Sequence, residues 1–219
     1  MKKRFFTVIL PVLILLQACG SDDGGAARIV IGTSSVIEDL NVLQYQKPYV
    51  IQVTDIDGNA SPNTRVTIVM KNLSYALGFY TKTGDGWTIL GANYTVCDAE
   101  DTNNNAVLDA GEDKNSSGFL EPTNAASIAA HPTETPTLEA GFNNVVTDDS
   151  GFAYFSLTYP KSEANWNIVE ISASAKVSGT ENVEKLSITL PVSLADLEDE
   201  DINPPGGTNS SYGTGACPL

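Results

Sequence analysis

Apolar and polar residues alternate along most of this chain, the period of strands that bury one face. Arg28-Ile29-Val30-Ile31 predicts a short first strand. Tyr49, Ile51 and Val53 turn one face of Tyr49 to Thr54 inward, and Val66, Ile68 and Met70 alternate against Thr67 and Val69. Leu77 to Leu90 predicts a hairpin about Asp85-Gly86, and Tyr94-Thr95-Val96 a further strand. Ala125 to Asn144 holds a short strand and an irregular stretch with Pro132 and Pro136. Phe155, Leu157 and Tyr159 follow at period two. The clearest run is Ile168 to Val177, with Val169, Ile171, Ala173, Ala175 and Val177 facing in and Glu170, Ser172, Ser174 and Lys176 facing out. Leu186, Ile188 and Leu190 close the series. Turn chemistry separates the runs, in D-I-D-G-N-A-S-P from Asp55 to Pro62 and in Asp149-Ser150-Gly151. No amphipathic helix pattern occurs. Short alternating strands with regular turns predict an all-β sandwich, and residues 29–194 suffice for one core.

The N-terminus breaks the alternation. Lys2, Lys3 and Arg4 precede an apolar run from Phe5 to Leu16, the layout of a secretory signal. The run is short for a membrane span and contains Pro11. It ends in Leu16-Gln17-Ala18-Cys19, which resembles a bacterial lipobox. The resemblance implies a signal peptide over residues 1–18, cleavage before Cys19, diacylglycerol on its sulfur and acylation of the new amine. Gly20 follows in place of Asp. In Gram-negative lipoproteins that implies sorting to the outer membrane, with the domain periplasmic or surface-exposed. Several acyl chains anchor firmly where one binds marginally. Residues 19–28, with S-D-D-G-G-A-A inside them, are then a lipidated tether.

The second break is Cys97 to Asn124, where oxygen-bearing side chains recur at alternate positions in two consecutive runs. With Asp101 at position 1 of a twelve-residue calcium loop, Asn103 and Asn105 fall at 3 and 5. The Val107 carbonyl falls at 7, Asp109 at 9 and Glu112 at 12. Asp113, Asn115, Ser117, the Phe119 carbonyl and Glu121 repeat the spacing, with Asn124 in place of the last Glu. Leu108 and Leu120 share one position, and Leu108 is expected to point into the protein. The first loop carries three carboxylates (Asp101, Asp109, Glu112) and the second two (Asp113, Glu121), so the first is expected to bind more tightly. The pair resembles the loops of EF-hand, dockerin and thrombospondin type 3 sites. Position 6 departs from the motif in the first loop, with Ala106 for Gly, while Gly118 keeps it in the second. Strand before and Pro122 after rule out a flanking helix pair that calcium would open. A solvated loop of Asx turns is the alternative reading. Extracellular modules of this type bind calcium at roughly 10⁻⁴ to 10⁻³ M, which suits a standing structural ion.

Charge narrows the partners. Twelve basic residues against 27 acidic give a net charge of −15, and loss of a leader with Lys2, Lys3 and Arg4 makes the rest more acidic. Phosphate backbones and anionic lipid head groups find no basic patch here, so nucleic acid is excluded as a partner class. Divalent cations are favoured. After Cys19 two cysteines remain, Cys97 and Cys217, which in an exported chain form one disulfide or stay as two free thiols. The acidic, then Pro/Gly-rich tail 195–219 would be disordered on its own. If Cys217 pairs, the tail lies along the domain.

Catalytic signals are sparse. His131 is the single histidine, too few for the usual zinc sites and the one candidate base for a triad. No G-x-S-x-G, P-loop or dinucleotide glycine pattern occurs. Trp87 and Trp166 are read as packing residues of the sandwich, with a ligand platform as the alternative.

Val53-Thr54-Asp55-Ile56-Asp57-Gly58-Asn59, with Pro62-Asn63 and Val66-Thr67 behind, resembles the opening of bacterial Ig-like domains of the invasin and intimin type. Thr147 to Ala153 resembles their later T-D-x-x-G-x-A turn. Over the whole length the chain resembles Ig-like lipoproteins of Gram-negative bacteria. The shared features are Cys97 before Glu100-Asp101 to Asn105, then Tyr159-Pro160-Lys161, Trp166, Val177 to Glu181, Pro204-Pro205-Gly206 and Cys217. This implies an Ig-like β-sandwich with an inserted calcium-binding loop, and it supports a Cys97–Cys217 disulfide. It carries no activity across. The expected role is a non-enzymatic adhesion or surface-assembly module, membrane-bound through its lipid, with a protein or glycan partner at the cell envelope. The alternatives are a periplasmic structural or accessory subunit of an envelope complex and, behind it, a hydrolase.

Overall fold

The computed structural model describes residues 27–122, 125–139 and 141–218. The signal segment 1–18, Cys19, most of the tether and Asn124 lie outside the described residues. The strands are β1 (Arg28–Thr33), β2 (Glu38–Asn41), β3 (Gln44–Thr54), β4 (Arg65–Gly78), β5 (Thr81–Lys82), β6 (Trp87–Thr88), β7 (Tyr94–Asp98), β8 (Ser127–Ala129), β9 (Asn144–Val146), β10 (Phe152–Pro160), β11 (Asn167–Val177) and β12 (Thr180–Thr189). One antiparallel sheet runs β1-β3-β10-β8, with β2 added to β3, and the other runs β12-β11-β4-β7, with β9 added to β4. β1, β3, β10 and β8 against β4, β11 and β12 repeat the ABED and CFG layers of an immunoglobulin-type sandwich. The acidic loop is the connection from β7 to β8.

Alternation places the core as read. Tyr49, Ile51 and Val53 of β3 and Ala153, Phe155, Leu157 and Tyr159 of β10 meet Val66 and Ile68 of β4 and Val169, Ile171 and Ala173 of β11. Tyr49 and Phe155 stack with ring centroids 5.1 Å apart. Each large side chain fully buried here contributes about 1.5–3 kcal/mol. Arg28 opens β1, as the strand reading has it. Two elements differ from that reading. Leu77 extends β4 rather than opening a hairpin, leaving β5 and β6 as a small ribbon. β2 has an exposed sequence, E-D-L-N, held by its bonds to β3 and by the ion pair of Asp39 with Lys161 at 2.7 Å, so no apolar period marks it.

Register fixes the two ends of the molecule. Arg28 lies opposite Thr54, and Gln44 opposite Pro160. The N-terminal end of β1 and the β2–β3 turn therefore sit at opposite ends of β3, 11 residues or about 35 Å apart. The tail lies along the domain. Gly78 accepts from Ser210 N and donates to Gly213 O, both at 2.9 Å, and Tyr80 N donates to Thr208 O at 2.7 Å. Cys97 and Cys217 are disulfide-bonded with Cα atoms 5.4 Å apart. Around the bond pack Tyr75, Leu77 and Tyr212.

Candidate metal centre

The two loops have one backbone design. Position 4 turns left-handed in both, at φ 58° for Asn104 and 60° for Ser116, and so does position 6, at 58° for Ala106 and 81° for Gly118. The reversals let the position-1 carboxylate gather amides ahead of it. Asp101 accepts from Asn105 N at 3.1 Å and Ala106 N at 2.9 Å; Asp113 accepts from Ser117 N at 2.9 Å and Gly118 N at 3.0 Å. Position 3 also accepts from the position-5 amide, Asn103 at 3.0 Å and Asn115 at 2.9 Å. Position 5 accepts from position 7, Asn105 from Val107 N at 2.7 Å and Ser117 Oγ from Phe119 N at 3.2 Å. Each position-3 amide donates to the position-9 carboxylate, Asn103 to Asp109 at 2.8 Å and Asn115 to Glu121.

The closing residue is where the two loops differ. Glu112 closes the first loop by accepting from Thr102 N at 2.9 Å and Asp109 N at 3.0 Å, positions 2 and 9. In the second loop positions 2 and 9 are Lys114 and Glu121. Their N–H groups both donate to Glu100, each at 3.1 Å. Glu100 thus does for the second loop what Glu112 does for the first. Each glutamate directly precedes one loop and closes the other. With Glu100 counted, each loop draws on three carboxylates.

Glu100 is fully buried and Glu112 nearly so, while most other loop side chains are exposed. Among the described residues no cationic side chain is ion-paired with either. Leu108 is exposed, contrary to the expectation that it packs inward, because it lies on the outer turn of the loop; Leu120 is half-buried. The pair is moored to the second sheet. Ala99 N donates to Leu73 O at 3.0 Å, Glu100 N to Glu121 O at 2.8 Å and Asn72 Nδ2 to Pro122 O at 2.9 Å.

The electrostatics follow from these bonds. The amides of Asn103 and Asn105 hold Asp109 below the usual carboxylate range, and the Asp109 amide with the Thr102 hydroxyl does the same for Glu112. Burial, then the charge of Glu100, pushes Glu121 up. Burial, then Glu121 and Glu100, raises the Tyr75 hydroxyl to about 12. The donors are all oxygens (carboxylate, amide, hydroxyl and carbonyl), the chemistry of a hard cation such as calcium. Among the described residues no three imidazole, thiolate or carboxylate groups converge on one point.

The other candidates sort as follows. His131 sits in a loop, its Nδ1 accepting from Glu134 N at 3.0 Å. Trp166 is buried against Tyr80 and Tyr94. Trp87 is half-buried, its indole N–H donating to the carbonyls of Asp199 and Ile202.

No protein-family model matches the chain, and no curated protein does. Two solved structures are similar at a low level. The GAE domain of GGA2p from Saccharomyces cerevisiae shares 10% identity at a TM-score of 0.30, over 77% of this chain and 99% of that one. A DUF4466 family protein from Parabacteroides merdae shares 11% at 0.29, over 77% of this chain and 45% of that one. At these scores neither likeness carries an argument.

Proposed function

We propose that the chain is a calcium-stabilised, outer-membrane-anchored lipoprotein of Ig-like fold that serves as a non-catalytic adhesion or surface-assembly module. The observation that carries the calcium reading is the reciprocal closure of two like loops by Glu100 and Glu112. Two buried carboxylates without a cationic partner are costly unless a positive charge compensates them. Asp101, Asn103, Asn105, Val107 O, Asp109 and Glu112 would hold one calcium. Asp113, Asn115, Ser117, Phe119 O, Glu121 and Glu100 would hold the other. The ions would neutralise the loops and fasten them to the second sheet beside the disulfide. The anchor reading rests on the lipobox at Cys19, and the module reading on the absence of a catalytic pattern in the sequence.

Removing calcium tests this directly. Chelation is expected to lower the melting temperature and to open residues 97–122 to protease, and millimolar calcium to reverse both. Protection and melting unchanged by chelator would overturn the calcium reading. Protease shaving of intact cells separates the placements: cleavage puts the domain outside, and protection favours a periplasmic subunit.

A further inference from the structure

Beyond the metal centre, the end of the molecule opposite the start of β1 carries a cleft of about 480 Å³. Tyr80, Trp87, Ile89, Tyr94, Leu194 and Leu197 line it. Its rings have neighbours within the protein. Tyr94 stacks on Trp166 with centroids 6.1 Å apart, Tyr80 meets Trp166 edge-on at 5.2 Å, and the Lys82 ammonium lies 5.1 Å from the centroid of Trp87. The hollow, walled by these rings and by Ile89, Leu194 and Leu197, suits a bulky apolar side chain. Leu194 stands at the cleft, 75% exposed.

Leu197 of the cleft lies in the most acidic segment of the chain, A-D-L-E-D-E-D-I from Ala195 to Ile202, which runs on beside Trp87. The segment is fixed in place. Trp87 N donates to Leu197 O at 2.7 Å, Trp87 Nε1 donates to Asp199 O at 3.1 Å and Ile202 O at 2.9 Å, and Glu200 accepts from Gly84 N. Asp196 is paired with Lys161 at 3.0 Å. Among the described residues Glu198, Asp199, Glu200 and Asp201 have no ion-pair partner. Lys82 offsets part of this charge. An apolar hollow beside a segment whose carboxylates from Glu198 to Asp201 have no ion-pair partner among the described residues is complementary to an apolar group with cationic neighbours.

We propose that this cleft docks a segment of a partner polypeptide in which a bulky apolar side chain is flanked by lysine or arginine. This names the partner class for the module proposed above and rests on that reading. It needs no calcium, because the cleft and the metal loops share no residues. β1 begins at the other end of the domain, so under the anchor reading the cleft would face away from the membrane.

The test uses the mature chain at low salt and three capped hexapeptides: Lys-Lys-Phe-Leu-Lys-Lys, Glu-Glu-Phe-Leu-Glu-Glu and Lys-Lys-Ser-Ser-Lys-Lys. Binding is read by calorimetry and by tryptophan fluorescence, in calcium and again in chelator. The first peptide is expected to bind at least tenfold more tightly than the other two, and to weaken as salt rises. Leu194→Ser, and separately the combined change Glu198→Gln, Asp199→Asn and Asp201→Asn, should each weaken it at least tenfold. These side chains are exposed, so the fold is expected to survive. No binding of the first peptide, equal binding of the acidic one, or affinity unchanged in both variants would overturn the proposal. A peptide result that holds in chelator while the chelator leaves melting unchanged would sink the calcium reading alone.

Discussion

Ala106 and Gly118 hold the same left-handed place in the two loops, and only one of them is suited to it. A Cβ added at Gly118 would meet nothing within 4 Å, so the cost of a side chain there is backbone strain alone. Ala106→Gly is therefore expected to stabilise the protein by about 1 kcal/mol, and Gly118→Ala to destabilise it by about the same. Thermal melts of the two variants check the pair, and equal melting temperatures would contradict it. The alternation of oxygen-bearing residues made the positions of both loops legible in sequence. Glu100 was not legible as a loop residue, because it closes a loop that begins thirteen residues later in the chain. Its trace in sequence is the twelve-residue offset from Glu112, which becomes meaningful once two loops are seen to close each other.

Among the elements, the tail is where sequence and structure differ most in kind. Its composition is that of a disordered segment, yet Thr208, Ser210 and Gly213 bond to Gly78 and Tyr80 at the end of β4, and Ser210 Oγ donates to Ala76 O at 2.6 Å. Order here comes from partners far away in the chain, which local composition does not encode. The disulfide fixes that order. Cys97 and Cys217 are separated by 120 residues, and closing so long a loop contributes roughly 5 kcal/mol in the chain-entropy model. Cys217→Ser should lower the unfolding free energy by about 2–5 kcal/mol, and reductant should lower it comparably in the parent and not in the variant. Denaturant melts of both proteins check this, and an unchanged midpoint would refute it. The inner strands were legible because each buries one face of an alternating run. β2 and β9 were not, being short edge additions set by a neighbour's backbone.

At the scale of the whole molecule, the topology separates two kinds of chemistry. One end of the sandwich carries the start of β1, and the far end carries the apolar cleft and the acidic segment beside it. The metal loops hang from the edge of the second sheet between them, next to the disulfide. An excess of negative charge repels itself in a compact fold, and bound divalent ions are the economical remedy. Under the calcium reading proposed above, Glu100 serves the second loop and Glu112 the first. Calorimetric titration of calcium into the parent and into Glu100→Gln, each shown folded by circular dichroism, tests this most directly. The account predicts two equivalents for the parent and one for the variant. No binding by the parent at millimolar calcium, or two equivalents kept by the variant, would contradict it.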